Sequence, residues 1–168
     1  MQYTSIYNSP VGEILLVADD AGVVGVWLKG QKYYAHCLSG ENRPEETPNI
    51  RELKRWLDVY FSGSQPDFEP RIHMIGTPFQ IEVWNILRGI PYGKTTTYSA
   101  IAKQIATKRG LKSMSAQAVG SAVGKNNLSI VIPCHRVIAS NNSLAGYAGG
   151  IDKKLFLLKL EGVNVNGL

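Results

Sequence analysis

Ile132-Pro133-Cys134-His135-Arg136-Val137 places a thiol and an imidazole side by side at the end of an apolar run. A cysteine becomes a strong nucleophile as the thiolate, and an adjacent base or positive charge is what lowers its pKa far enough. Cysteine is also among the residues most often packed in a core, so the pair by itself reads first as an inert buried thiol. In an extended chain neighbouring side chains point to opposite faces, so Cys134 and His135 could act together only where the backbone turns or a water bridges them. The second cysteine, Cys37 in Ala35-His36-Cys37-Leu38, has no group of titratable residues around it in sequence, and a structural role is expected. Two cysteines and three scattered histidines make neither a disulfide framework nor a zinc spacing, so no metal is expected.

The chain that must position this pair has 168 residues, 44% of them apolar, enough for one domain or two small ones with a real core. No apolar run reaches eighteen residues, and Met1-Gln2-Tyr3-Thr4-Ser5 has neither the basic start nor the apolar segment of a signal, so no membrane association and a cytoplasmic location are expected. Charge is divided unevenly. Residues 1–75 carry 7 Lys+Arg against 10 Asp+Glu, net −3, and residues 76–168 carry 11 against 3, net +8. A basic C-terminal half suits a polyanion, with nucleic acid the first candidate, or else it is a solvated basic surface.

Residues 1–75 read as an α/β support domain. Ile6, Ile14-Leu15-Leu16-Val17, Val23-Val24 and Val26-Trp27-Leu28 are separated by the turn signals Ser9-Pro10, Asp19-Asp20 and Gly22, which predicts a small antiparallel meander up to about Lys29. Glu41 to Pro48 is polar with two prolines and is expected to be a loop. Asn49 is the expected N-cap of a helix with Ile50, Leu53, Leu57 and Tyr60 on one face, ending near Ser62-Gly63.

Residues 76–168 read as mainly helical. After Gly76-Thr77-Pro78, the residues Phe79, Val83, Trp84 and Leu87 recur at helical spacing until Ile90-Pro91-Tyr92-Gly93 turns the chain. Thr97 can cap a second helix with Tyr98, Ile101, Ala102 and Ile105 on its apolar face. A basic loop, Lys108 to Lys112, leads to Ser115, the expected cap of a short helix from Ala116 to Val123. Two short helices joined by a turn suggest a helix-turn-helix. Apart from Gln117 and two valines the last of these presents only Ala, Gly and Ser, although a helical glycine costs roughly 1 kcal/mol against alanine. Such a composition implies close approach, either to another helix or to the walls of a DNA minor groove only ~6 Å wide. A major-groove reader would expose several Arg, Asn or Gln.

Gly124-Lys125-Asn126-Asn127 is a turn, and the apolar run Leu128 to Ile132 reads as a strand that Pro133 ends. Asn141-Asn142-Ser143 is a further turn. Gly146-Tyr147-Ala148-Gly149-Gly150 either caps and turns or lets the backbone come near a flat ligand. Asp152 is the expected cap of a last helix with Leu155, Leu158 and Lys159, closing at Glu161-Gly162.

Taken in order, Phe79…Val83-Trp84, Ile90-Pro91-Tyr92-Gly93, Tyr98, Ala118-Val119-Gly120, Asn126, Ile132-Pro133-Cys134-His135-Arg136-Val137, Gly146-Tyr147-Ala148-Gly149-Gly150 and Leu160-Glu161-Gly162 resemble the 6-O-alkylguanine-DNA alkyltransferases over essentially residues 77–163. That family is also called the methylated-DNA–protein-cysteine methyltransferases. The resemblance implies an α+β chain with a small ribonuclease-H-like α/β domain, residues 1–75, followed by a mainly helical DNA-binding domain with a helix-turn-helix, residues 76–168. It implies DNA repair by direct reversal, in which Cys134 takes a methyl or other alkyl group from the exocyclic oxygen of guanine, or from 4-O-alkylthymine. Each molecule would act once, irreversibly and without a cofactor.

The resemblance further implies His135 as base through a bridging water, Glu161 orienting it, Asn126 bracing the turn, and Tyr98 donating a hydrogen bond to the departing guanine. Tyr147 and Ala148 would wall the pocket, the Val137 carbonyl would read the guanine amino group, and Ser129 would line the same pocket. The target base would be flipped out of the duplex from a minor-groove complex. Ala116, Gln117, Ala118, Gly120, Ser121, Lys125 and Arg136 would meet the DNA. Where the family usually carries an arginine this chain has Gln117, shorter and uncharged, and Lys125, Lys103 or the Lys108 to Lys112 loop are the candidates to compensate. The zinc ligands that some relatives carry are absent. A monomer on double-stranded DNA containing alkylated guanine is the expected form.

Other readings make different demands. A non-catalytic alkyltransferase-like binder of damaged DNA would lack the cysteine. A helix-turn-helix transcription regulator would be a dimer with base-reading side chains on its third helix, and a Cys-His hydrolase would place its histidine far along the chain.

Overall fold

The computed structural model describes residues 1–141, 144 and 146–168, so Asn142 and Ser143 of the expected turn lie outside the described residues. The chain divides into two compact units, Met1–Ile75 with Asn127–Val131, and Gly76–Asn126 with Ile132–Leu168. Segment Asn127–Val131 therefore departs from a single division at 75/76.

In the first unit β1 (Gln2–Ser9), β2 (Gly12–Ala18) and β3 (Val23–Leu28) form the antiparallel meander. A fourth strand, β4 (Asn42–Pro44), pairs in parallel with β1, giving the order β3-β2-β1-β4. Local composition marks this stretch as a loop, and only its pairing with Gln2 to Thr4 makes it a strand; at a sheet edge Pro44 interrupts no ladder. Gly25 makes room for the core: a Cβ there would meet the Trp27 indole at 1.9 Å, and Trp27 closes over Val17 and Val24.

Helix α1 (Pro48–Phe61) buries Ile50, Leu53, Trp56, Leu57 and Tyr60. Its N-cap is Thr47 rather than Asn49. The Thr47 hydroxyl accepts from Ile50 N at 3.4 Å, and Pro48 occupies the first helical position, where its missing N–H is harmless. The Asn49 amide donates instead to Asp19 O at 3.0 Å. The run Leu128 to Ile132 is not a strand. It makes one bridge, Leu128 to Val26, and then turns, with Ile130 in the left-handed region at φ 73°. A β-branched residue adopts that backbone only under constraint.

The second unit contains α2 (Pro78–Arg88), β5 (Thr96–Thr97), α3 (Tyr98–Arg109), α4 (Ala116–Gly124), β6 (Val137–Ile138) and α5 (Ile151–Leu160). Thr77 and Gln80 form a capping box on α2, Thr97 caps α3 and Ser115 caps α4. Val119, Ala122 and Val123 form the buried side of α4, and Trp84 of α2 donates its indole N–H to Ala122 O at 2.9 Å. Helices α3 and α4, joined by residues 110–115, are the two helices of the expected helix-turn-helix. The cap of α5 is Gly150, with no side-chain hydrogen bond, so Asp152 is inside the first turn, where its charge suits the helix dipole. The buried stripe of this helix is Lys154, Leu157 and Leu158, continued by Glu161 just past its end.

Replacing Thr47 by alanine is expected to cost about 1 kcal/mol, read as a lower urea midpoint at unchanged slope.

Candidate active site

The backbone turns at the Cys-His pair. Cys134, His135 and Arg136 form one turn of 3-10 helix, with Cys134 N donating to Ile132 O at 2.8 Å and Arg136 N to Pro133 O at 3.0 Å. Cys134 is 6% exposed and His135 not at all. The chain leaves the second unit after Asn126 and returns at Ile132. Asn126 Nδ2 clasps these two points by donating to Ile132 O at 2.8 Å, and the Asn126 side chain also hydrogen-bonds the thiol.

Glu161 organises the other side. Its side chain is fully buried, Oε2 accepts from His135 Nε2 at 2.5 Å, and Oε1 accepts from Arg136 Nε at 2.8 Å and from Gly93 N at 3.0 Å. The parallel pair β5–β6 sets Thr97 beside Ile138, which brings Tyr98 to the thiol. Gly146, at φ +92°, lies against Tyr98; a Cβ there would stand 3.2 Å from the phenol oxygen. Tyr147 is buried, and its hydroxyl has no hydrogen-bond partner among the described residues.

Burial pushes the Cys134 thiol up, opposed by the hydrogen bond from Asn126, the Lys154 ammonium and backbone N–H groups. The resting sulfur is thus a thiol that needs a base. Burial pulls His135 below the ordinary imidazole value, Glu161 opposes this, and the charges of Arg136 and Lys154 reinforce it. A neutral imidazole whose Nε2–H is given to a carboxylate presents Nδ1 as its basic atom. Tyr98 and Tyr147 are both raised, first by burial and then by negative charge on Cys134, so both phenols keep their protons and remain donors.

Of the residues singled out from sequence, Cys134, His135, Glu161, Asn126, Tyr98 and Tyr147 all lie in the second unit; Asn126, Tyr98 and Tyr147 interact with the Cys134 sulfur, and Glu161 is bonded to His135. Ala148 is half-buried on the adjoining turn. The Val137 carbonyl is already occupied by Lys154 Nζ at 2.6 Å. Ser129 falls in the first unit, buried, with its hydroxyl on Gln31 Oε1 at 3.2 Å. Arg136 is a correction to the DNA-contact set: it is 8% exposed, and its guanidinium is held by Glu161 and by Ile90 O at 2.7 Å.

The remaining DNA-contact candidates lie on α4. Ala116, Gln117, Ala118 and Ser121 are exposed, while Gly120 and Lys125 are half-buried. A Cβ on Gly120 would meet Tyr98 at 3.8 Å, an ordinary contact, and one on Gly124 would meet nothing within 4 Å. Internal packing therefore does not require these glycines. Among the described residues no group of His, Cys, Asp and Glu is placed to hold a metal, and no helix is long and apolar enough to cross a membrane.

Residues 78–163 match the family model described as "6-O-methylguanine DNA methyltransferase, DNA binding domain", and residues 2–73 match "6-O-methylguanine DNA methyltransferase, ribonuclease-like domain". The chain belongs to the 6-O-methylguanine DNA methyltransferase family. It is 43% identical to the methylated-DNA–protein-cysteine methyltransferase of Methanosarcina acetivorans over 95% of this chain and 98% of that one. It is 34% identical to the constitutive methylated-DNA–protein-cysteine methyltransferase of Bacillus subtilis over 98% of each. The fold superposes on the crystal structure of Mycobacterium tuberculosis OGT in complex with DNA with a TM-score of 0.82 at 34% identity, covering 95% and 92% of the two chains.

For a methyltransferase of this family the sequence reading omits three groups that the geometry brings in: Lys154, Ile90 O and Gly93 N. The signal for Lys154 is helical register. Lys154, Leu157, Leu158 and Glu161 stand at i, i+3, i+4 and i+7, so the lysine lies on the buried stripe. Burial lowers the Lys154 ammonium from 10.5 to about 8, with Cys134 opposing. Because the folded value is the lower one, stability rises with pH between about 8 and 10.5, and below that window the charged amine costs on the order of 3 kcal/mol. Lys154→Met is therefore expected to hold or raise the melting temperature at neutral pH while slowing alkylation of Cys134 by iodoacetamide several-fold. A fall in both would assign the lysine to structure alone.

Proposed function

We propose that this chain repairs alkylated DNA by direct reversal, moving a methyl or other alkyl group from the exocyclic oxygen of guanine onto Cys134, once per molecule. The observation that carries the reading is a buried thiol on a turn whose next residue is a buried histidine bonded to a buried carboxylate. The thiol proton passes to His135 through a water, and Glu161 steadies the imidazolium that forms. Sulfur then displaces the guanine oxygen at the alkyl carbon; the C–O pair stays with guanine, which regains a proton, while Tyr98 donates a hydrogen bond to it. Tyr147 and Ala148 wall the space the base enters. The product is a thioether, and the protein is spent. 4-O-alkylthymine presents the same exocyclic O-alkyl group and is a second substrate.

A base inside a duplex is out of reach of a buried sulfur, so the target is flipped out, at a few kcal/mol that weak pairing of the damaged base partly offsets. The exposed, small-residue side of α4 suits entry into the minor groove. Gln117 stands at the position that would fill the vacated stack, and the exposed Lys103 and Lys112 border one cleft with Ala116, where they can hold the phosphate backbone. Residues 1–75 act as support. The protein works as a cytoplasmic monomer, a setting that suits its two free cysteines.

Incubation with duplex DNA containing one 6-O-methylguanine should add a single methyl to the tryptic peptide Asn126 to Arg136, saturating at one per protein. Continued turnover, or an unmodified peptide, rejects the reading, and an unmodified peptide with tight DNA binding makes the protein a damage binder. Gln117→Arg is expected to speed transfer and tighten binding by severalfold at low salt. No change in either would mean that this position does not limit base flipping.

A further inference from the structure

We propose that Arg136 is a positioning residue of the acceptor site: its guanidinium fixes Glu161 as an anion in one orientation and, through Glu161, keeps His135 as the neutral base for Cys134. The inference rests on the functional reading above and adds a residue to it. Arg136 Nε donates to Glu161 Oε1 at 2.8 Å and Nη2 to Oε2 at 3.2 Å, a side-on fork on a carboxylate with no exposed surface. Nη1 reaches Ile90 O at 2.7 Å, and the guanidinium lies 5.6 Å from the centre of the Tyr92 ring. The fork therefore spans three stretches of chain and sets the direction in which Oε2 faces His135 Nε2.

The chemistry requires a second cation here. A buried carboxylate paired with histidine alone gains most by drawing a proton onto the imidazole, and an imidazolium cannot accept the proton of a thiol. Arginine stays charged at every relevant pH, so its fork compensates the carboxylate without any help from the histidine. His135 then only donates its Nε2–H and retains its other nitrogen as base. The charged groups facing His135 are Glu161, Arg136 and Lys154; those facing Cys134 are Lys154 and, when they ionise, Tyr98 and Tyr147. Tyr92 faces Glu161 and is itself raised, by burial first and then by that carboxylate. Of the two cations near His135, Arg136 is the one bonded to its partner carboxylate.

The test compares Arg136→Met and Arg136→Lys in the full chain, following methyl transfer from duplex DNA containing 6-O-methylguanine and, separately, alkylation of Cys134 by iodoacetamide across pH. The methionine variant is expected to move the acid limb of both profiles up by about one unit, while the lysine variant, which keeps charge but not the fork, holds the limb in place and lowers the plateau. Equal loss at every pH in both variants, with the limb unmoved, would reduce Arg136 to a structural part. Imidazole 15N spectra of the unaltered protein read the same point without any variant. His135 should be the Nε2–H tautomer at neutral pH, and an imidazolium there overturns the proposal. If the unaltered protein takes up no methyl, the repair reading fails, while the iodoacetamide profile and the tautomer still judge Arg136.

Discussion

Glu161 is an ion without exposed surface, and such a group costs several kcal/mol unless donors fill its lone pairs. Its donors come from two distant stretches: Gly93 N lies 68 residues earlier in the chain, and the side chains of Arg136 and His135 lie 25 and 26 residues earlier. Leaving any one of them unmade would strand charge in a dry interior. The turn at Ile90 to Gly93, the Cys134 to Arg136 turn and the end of α5 are therefore tied together by this polar network. Ile138, Leu144 and Leu158 form a small cluster that brings β6 and α5 together, and the polar network fixes their register.

The dry interior sets two demands against each other. Excluding water strengthens every electrostatic contact on a developing thiolate, yet it raises the cost of forming that thiolate at all. The site meets the second demand with charges already in place. In the proposed transfer, with Arg136 balanced by Glu161, a proton moved from Cys134 to His135 would create a positive charge beside an anion, and the thiolate left behind would have the Lys154 ammonium and the Asn126 amide near it. Burial disfavours the charged form of Lys154, while its ammonium favours the ionised sulfur, so the same group opposes the fold and supports the thiolate.

What could be read from sequence follows the range of the interaction that decides each feature. The meander, the faces of α1 to α3 and the caps Thr97 and Ser115 depend on neighbours within a few residues. The cap of α1 is Thr47 rather than the expected Asn49 because Pro48 fits the first helical position directly after it. Strand β4 and the turn at Leu128 to Ile132 are decided by pairing across the chain, with β1 and with Val26, and their own composition points elsewhere. The site divides the same way. Adjacent Cys134 and His135 are visible as a pair, whereas nothing local assigns Glu161 to them; that came from the family pattern. Arg136, exposed by residue type, is buried by a partner 25 residues away.

Helix α4 links an exposed, small-residue surface to the sulfur. One side presents Ala116, Gln117, Ala118 and Ser121 to solvent, and the other is pinned to α2 through Val119, Ala122 and the Trp84 bond. Gly120 borders Tyr98 without crowding it, and two residues past the helix Asn126 clasps Ile132 and hydrogen-bonds the thiol. A helix of nine residues is about 13 Å long and nearly inextensible. Whatever seats itself along its exposed face is thereby set at a fixed distance from Cys134. The glycines that weaken α4 as a helix leave open the surface by which that distance is measured.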